Sequence, residues 1–203
     1  MRQTESLRRF LIAIALAMAL LAWPTASRAQ TVTGQATAAQ ATVIGLLGTT
    51  TTTTLSDTGT LGGTNDARDA SLFTASVPSL LDGEVLSAET IGYPDEVDSA
   101  ASLAGLNLNV GGVGVSADFV MAEASQVLGA AGSGASYIGN LAINGMPVSV
   151  SGDPNQTIAI PGGQLIINEQ TISSNGATVV NALHIIVNGV ANVVIASATA
   201  GIS

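Results

Sequence analysis

His184 is the single histidine of the 203-residue chain, and cysteine is absent. A zinc site of several imidazoles or thiolates therefore has no second ligand of its kind, and a Cys-His pair has no thiol. On an alternating strand the same-face neighbours of His184 are Ala182 and Ile186, which predicts a hydrogen-bonded structural histidine. Three carboxylates within four residues, Asp95, Glu96 and Asp98, are the candidate metal ligands. They lack the oxygen-rich, glycine-punctuated spacing of a calcium loop, so a solvated acidic loop is the plainer expectation. Asn168 and Glu169 are consecutive on a predicted strand and point to opposite faces, so they do not form one site side by side. No G-x-S-x-G, S-x-x-K, Walker or dinucleotide fingerprint occurs. A glycosidase with two carboxylates far apart in the chain stays open, because spacing along a chain does not exclude it. Beyond residue 29 there is no Trp and only Tyr93 and Tyr137 as tyrosines, a poor supply for sugar stacking. The expectation is a protein without catalytic residues or cofactors.

The first 29 residues read as a secretory signal peptide. Arg2, Arg8 and Arg9 precede an apolar run from Phe10 to Trp23, too short to span a bilayer, and Ser27-Arg28-Ala29 is a small-x-small cleavage site. Arg8-Arg9-Phe10-Leu11 has the phenylalanine one place early for a twin-arginine signal, which favours the Sec route. A signal-peptide helix over 1–29 followed by one domain over 30–203 is the predicted organisation, with the domain secreted to the periplasm or the exterior. From residue 30 onward one arginine, Arg68, stands against 13 carboxylates with no lysine, a net charge of −12 with histidine neutral. Such a surface repels phosphate backbones and anionic lipid, so nucleic acid and membrane surfaces are excluded as partners after cleavage. An exported chain without cysteine is held by packing and sheet hydrogen bonds alone.

The elements that must position any site are strands. Thr178 to Thr199 reads as a hairpin around Asn188-Gly189, both residues tolerant of the positive φ of a type I′ turn. A two-residue turn pairs Val187 with Val190 and Ile185 with Asn192, puts Ile185 and Ile195 on opposite faces, and leaves large aliphatics on both. Both faces are therefore expected to be covered, the second by the same chain or by another molecule. Gly111-Gly112 closes a second hairpin, in which Val113, Val115, Ala117, Phe119 and Met121 share a face, and Asn144-Gly145 a third. In the third, Pro147 falls opposite Ala142, which marks residues 146–150 as an edge. Thr49 to Thr54 reads as a β-branched strand rather than a flexible stalk. Residues 62–71, 93–98 and 129–136 read as loops. About eleven short strands, with Gly and Pro turns and no amphipathic helix, predict an all-β, antiparallel sandwich of jelly-roll-like type.

Three segments resemble the choice-of-anchor P family of secreted bacterial proteins. They are the Gly-Gly-x-Leu-x-x-Asn-Glu-Gln pattern at 162–170, Asn181-Ala182-Leu183-His184, and Val194-Ile195-Ala196-Ser197 leading into Ala200-Gly201-Ile202. The likeness extends more loosely to residues 83–99 and to the Asn144-Gly145 turn. It implies a secreted or surface β domain with no assigned activity and no catalytic residues to transfer. Members carry varied C-terminal anchors, and no apolar tail or sorting motif follows Ile202 here. Composition and likeness together lead to a non-enzymatic structural, adhesive or matrix-associated protein that self-associates or meets a surface partner. The alternatives are a soluble extracellular module binding a ligand or calcium, and a glycan-active hydrolase.

Overall fold

A computed structural model describes residues 30–203; the predicted signal peptide and its cleavage site lie outside the described residues. In chain order the strands are β1 (Val32–Ile44), β2 (Thr50–Asp57), β3 (Ala67–Val77), β4 (Leu81–Gly92), β5 (Glu96–Val110), β6 (Val113–Val127), β7 (Ser133–Gly139), β8 (Ala142–Ile143), β9 (Met146–Pro147), β10 (Gln156–Ile160), β11 (Gly163–Ile172), β12 (Thr178–Val187) and β13 (Ala191–Ile202). One sheet has the order β10-β11-β12-β13-β1-β2 and contains both ends of the domain. We call it the terminal sheet. The other, the middle sheet, runs β3-β4-β5-β6-β8-β9, with β7 beside β6. All pairings are antiparallel. The two sheets enclose one core of Leu, Ile, Val and Ala, which makes the domain the antiparallel sandwich expected. The middle sheet follows chain order, and the terminal sheet joins the run β10 to β13 to the hairpin β1-β2 through the non-consecutive β13–β1 pair.

Side-chain alternation reverses once along the strands of each sheet. In the terminal sheet consecutive residues are buried on β1 (Ala38, Ala39), β11 (Ile167, Asn168), β12 (Ala182, Leu183) and β13 (Ile195, Ala196). These residues lie in register, and the pairing ladder skips one step there in each pair from β11 to β2. Asn168 (φ 52°), Ala196 (φ 53°) and Ser56 (φ 48°), on alternate strands, take the left-handed conformation, with Ala182 and Ala38 between them outside it. A left-handed residue in a strand re-aims the chain as a bulge does, so the next side chain faces the side just left. The result is a seam across the sheet along which two successive side chains point inward.

The middle sheet carries the converse seam. Glu84-Val85, Ala104-Gly105 and Asp118-Phe119 are successive outward pairs, and Val85 (φ 46°), Gly105 (φ 59°) and Asn140 (φ 53°) are left-handed. Inward positions there leave a gap, between Leu103 and Leu106 on β5 and between Ala117 and Val120 on β6. The seams face one another. At one end of the core Val187 abuts Gly111, where a Cβ would meet Val187 Cγ1 at 2.9 Å. At the other, Gly134 lies against Val180, and Ser99 Oγ donates to Thr199 O at 2.7 Å while bonded to buried Thr90 Oγ1 at 2.7 Å. Both seams lie between these contacts along their strands, which sets the inward-doubled row of the terminal sheet opposite the gap in the middle sheet.

The seams account for most departures from strict alternation. Phe119 and Met121 leave the face of Val113, Val115 and Ala117 because the strand inverts at Asp118, and Ala182 turns inward, away from His184 and Ile186. The Asn188-Gly189 hairpin differs for a second reason. It closes as Val187↔Ala191 and Ile185↔Val193, with a three-residue loop in which Gly189 (φ 70°) is left-handed and Asn188 is not. A type I′ closure would have turned Asn192 into the core opposite Ile185; the observed register buries Val193 and Ile195 and leaves Asn192 outside. Burial overrode turn preference. Ile185 and Ile195 consequently share the inner face, and the outer face, with Ile186 and Val194 half-buried, has no third layer over it among the described residues. Gly111-Gly112 (φ 58° and 81°) and Asn144-Gly145 (φ 50° and 76°) do close as two-residue turns, and Pro147 pairs with Ala142 on an edge strand. Three expected loops are shorter than predicted, because β3 begins at Ala67, β5 at Glu96 and β7 at Ser133. The threonine run is the edge strand β2.

Ile185→Asp and Ile195→Asp should each abolish cooperative folding, since an unpaired buried carboxylate costs several kcal/mol, comparable to a domain's stability. Ile186→Asp should fold; circular dichroism melts of the three variants check the assignment. A β-branched side chain at positive φ is strained, and Val85 is 58% exposed. Val85→Asn should raise stability by about 1 kcal/mol in urea unfolding, and a lowered midpoint would refute the strain.

Candidate functional site

Because the seam of the terminal sheet turns inward, its outer face lacks a row of side chains there, and a groove crosses the strands. Register places Thr37, Ser197, Asn181 and Glu169 on one wall and Gln40, Val194, His184 and Ile166 on the other. The depression at its centre, about 260 Å³, is lined by Gln35, Thr37, Gln40, Asn181, Val194, Ser197 and Thr199. Amides and hydroxyls dominate, with no charged side chain in the central part.

At the β11–β12 end the groove is fixed by one carboxylate. Glu169 Oε2 accepts from Asn181 Nδ2 at 2.6 Å and meets His184 Nδ1 at 2.8 Å, while His184 Nε2 meets Asn192 Oδ1 at 3.0 Å. A carboxylate only accepts, so Nδ1 carries a hydrogen; Asn192 presents whichever amide atom the other nitrogen needs. The side chains of His184 and Glu169 are 15% and 17% exposed. Both ring nitrogens are thus engaged, neither by a hydroxyl. This arrangement ties β11, β12 and β13 together beside the seam; a general base would need a free nitrogen aimed at a nucleophile or substrate. The histidine is hydrogen-bonded within its sheet, as expected.

Asn168 and Glu169 diverge to opposite faces. Glu169 faces the groove; buried Asn168 donates to Gly152 O at 3.1 Å and accepts from Gln170 Nε2, which also reaches Gly134 O in the middle sheet. The three candidate metal ligands do not converge. Asp95 lies in the turn before β5, with its carbonyl accepting from Leu128 N. Glu96 Oε1 accepts from Ser125 Oγ at 3.2 Å. Asp98 lines a separate depression of about 490 Å³ on the outer face of the middle sheet, together with Glu89 and Glu123. Among the described residues no three His, Cys, Asp or Glu form a group able to hold a metal ion. Arg68 bonds Asp66 at 3.0 Å, and the Gly62 N–H and this guanidinium hold the Asp66 carboxyl below the usual carboxylate range.

Sequence reading missed the groove because it assumed unbroken alternation. The signal was there in Ile167-Asn168, Ala182-Leu183 and Ile195-Ala196, adjacent positions in register that a half-wet strand would not fill with core-type or seam-type residues twice running. All three meet at this seam. Compared with family models, curated proteins and solved structures, the chain matches none.

Glu169→Ala would strand two donors that are largely withdrawn from water. A loss of about 1–3 kcal/mol in urea unfolding is expected, with Glu169→Gln losing less because it keeps one acceptor oxygen. An unchanged midpoint in Glu169→Ala would show that the carboxylate does not organise the groove.

Proposed function

We propose that this chain is an exported, non-catalytic sandwich that works by surface contact, as a structural or adhesive component outside the cell. The observation that carries the reading is the placement of its aromatic residues. None of the four in the described domain enters the core: Phe73 is 90% exposed, Tyr137 66% and Tyr93 43%, and Phe119 packs against Tyr137 on the outside with ring centroids 6.1 Å apart. Aromatic side chains ordinarily dominate cores, and their enrichment outside is the composition of contact surfaces. The aliphatic core needs none of them.

Other features support the same reading. The only imidazole is engaged at both nitrogens. The leader-like start supports export, and the likeness to choice-of-anchor P proteins supports a secreted β domain whose role lies in what it touches. The large negative charge of residues 30–203 argues for partners other than nucleic acid or anionic membrane.

Expression of the full chain in a bacterial host, with intact-mass analysis of the periplasmic and extracellular fractions, should give a protein beginning at Gln30. The purified product should be retained on the extracellular matrix of the source cells and should turn over no panel glycoside. Retention of Met1 to Ala29 would overturn export; glycoside turnover abolished by Glu169→Gln would overturn the non-catalytic reading.

A further inference from the structure

The two seams make the outside of the molecule asymmetric in a particular way. Across the core, an inward ridge of the terminal sheet sits in an inward gap of the middle sheet. Going outward, the terminal sheet presents a groove and the middle sheet a ridge, so both bends point in one direction. The ridge is formed by the doubled outward row that includes Phe73, Val85 and Phe119, flanked by Tyr137. Phe73, Val85 and Tyr137 are exposed there and Phe119 is half-buried, and Asn140 Nδ2 bonds Asp118 Oδ2 along the crest at 2.6 Å.

The geometry points to a second copy of this chain as the occupant of the groove, its middle-sheet ridge seated across the terminal sheet of its neighbour. This rests on the surface-contact reading and names the partner. The contact repeats between molecules the relation that the two sheets already have within one. The area suffices: strands ~4.8 Å apart and ~10 residues of ~3.4 Å rise make each outer face roughly 800 Å², the share per partner of a standard stable interface. A groove on one face and a ridge on the opposite face form a heterologous contact, which does not close at two copies and propagates as a stack. Groove amides and hydroxyls meet the edges and faces of Phe and Tyr, and they offer donors to the Asp118 carboxylate that Asn140 already caps on the crest. Charge sets the conditions. Asp57 and Glu169 stand along the groove, Glu84 and Asp118 stand in the ridge row itself with Glu123 beside it, and residues 30–203 hold no lysine to answer them, so association must strengthen as salt screens the repulsion.

The test is sedimentation velocity of the processed protein over rising concentration at low and high salt. Three proteins are compared: the parent, a groove variant (Gln40→Trp, at an exposed wall position) and a ridge variant (Phe73→Glu with Tyr137→Glu). The parent should show mass growing past the dimer, more so at high salt. Each variant alone should be monomeric with parental circular dichroism and unfolding midpoint. Mixed together, they should form a dimer and stop, because one retains its ridge and the other its groove. A parent that stays monomeric at every concentration and salt overturns the inference, as does mass that halts at the parent dimer or variants whose mixture stays monomeric. Matrix retention of a strictly monomeric parent would sink stacking while leaving surface contact intact; loss of retention with stacking preserved would do the reverse.

Discussion

Everything in this fold depends on a line of backbone that refuses to alternate. A strand two-faced by nature changes faces at Ser56, Ala196 and Asn168 in one sheet and at Val85, Gly105 and Asn140 in the other. A left-handed L-residue costs on the order of 1–2 kcal/mol. Five such residues, with Gly105 the sixth and unpenalised position, would consume much of a domain's stability if scattered, so their alignment in register is what makes them tolerable. Aligned, they let a whole sheet bend as a unit, each strand's inversion matched by its neighbour's, and only one ladder step is lost per strand. The buried row is Ser56, Ala38, Ala196, Ala182 and Asn168 because two inward side chains in succession must share the space of one. Asn168 tolerates the left-handed region and satisfies its buried amide by bonding Gly152 O and Gln170.

The nested bends also explain a core built without aromatics, cysteine or buried charge. Sheets that fit seam into seam approach closely enough for Ala, Val, Ile and Leu to fill the interior. Close approach is visible where Gly134 touches Val180 and Gly111 touches Val187. The polar link between the sheets is short: Thr90, Ser99 and the Thr199 carbonyl make one chain of hydrogen bonds within apolar surroundings. The ring systems stand outside.

The sequence told of strands, of the aliphatic content of the core and of the turns whose chemistry is local. Gly111-Gly112 and Asn144-Gly145 closed as their residues dictate, and Pro147 marked an edge. Asn188-Gly189 did not, although it is the same dipeptide as Asn144-Gly145. At 144–145 the flanking strands are two residues long and exert little pull on register, whereas at 188–189 they run ten and twelve residues and the burial of Val193 and Ile195 outweighs the turn. The groove was illegible for a related reason. Its residues are read correctly only when the face of each strand is known, and that depends on inversions held by neighbours up to about 160 positions away. His184 as a sheet-bound hydrogen-bonding group was within reach; that Glu169 and Asn181 would join it was not, because both lie beyond the inversion.

The pairing of β1 with β13 carries a consequence for how the protein comes into being. Thr31 and Ser203 exchange hydrogen bonds in both directions at 2.8 and 3.0 Å, and β1 sits between β13 and β2. The first strand made is thus completed by the last. Until β13 has been synthesised, β1 and β2 form a two-stranded ribbon, marginal by itself in water, with half of its ladder open. Contacts of such sequence separation also form slowly. The middle sheet, whose consecutive strands pair locally, can form before the chain is complete, whereas β1 and β2 lock into place only in a late step.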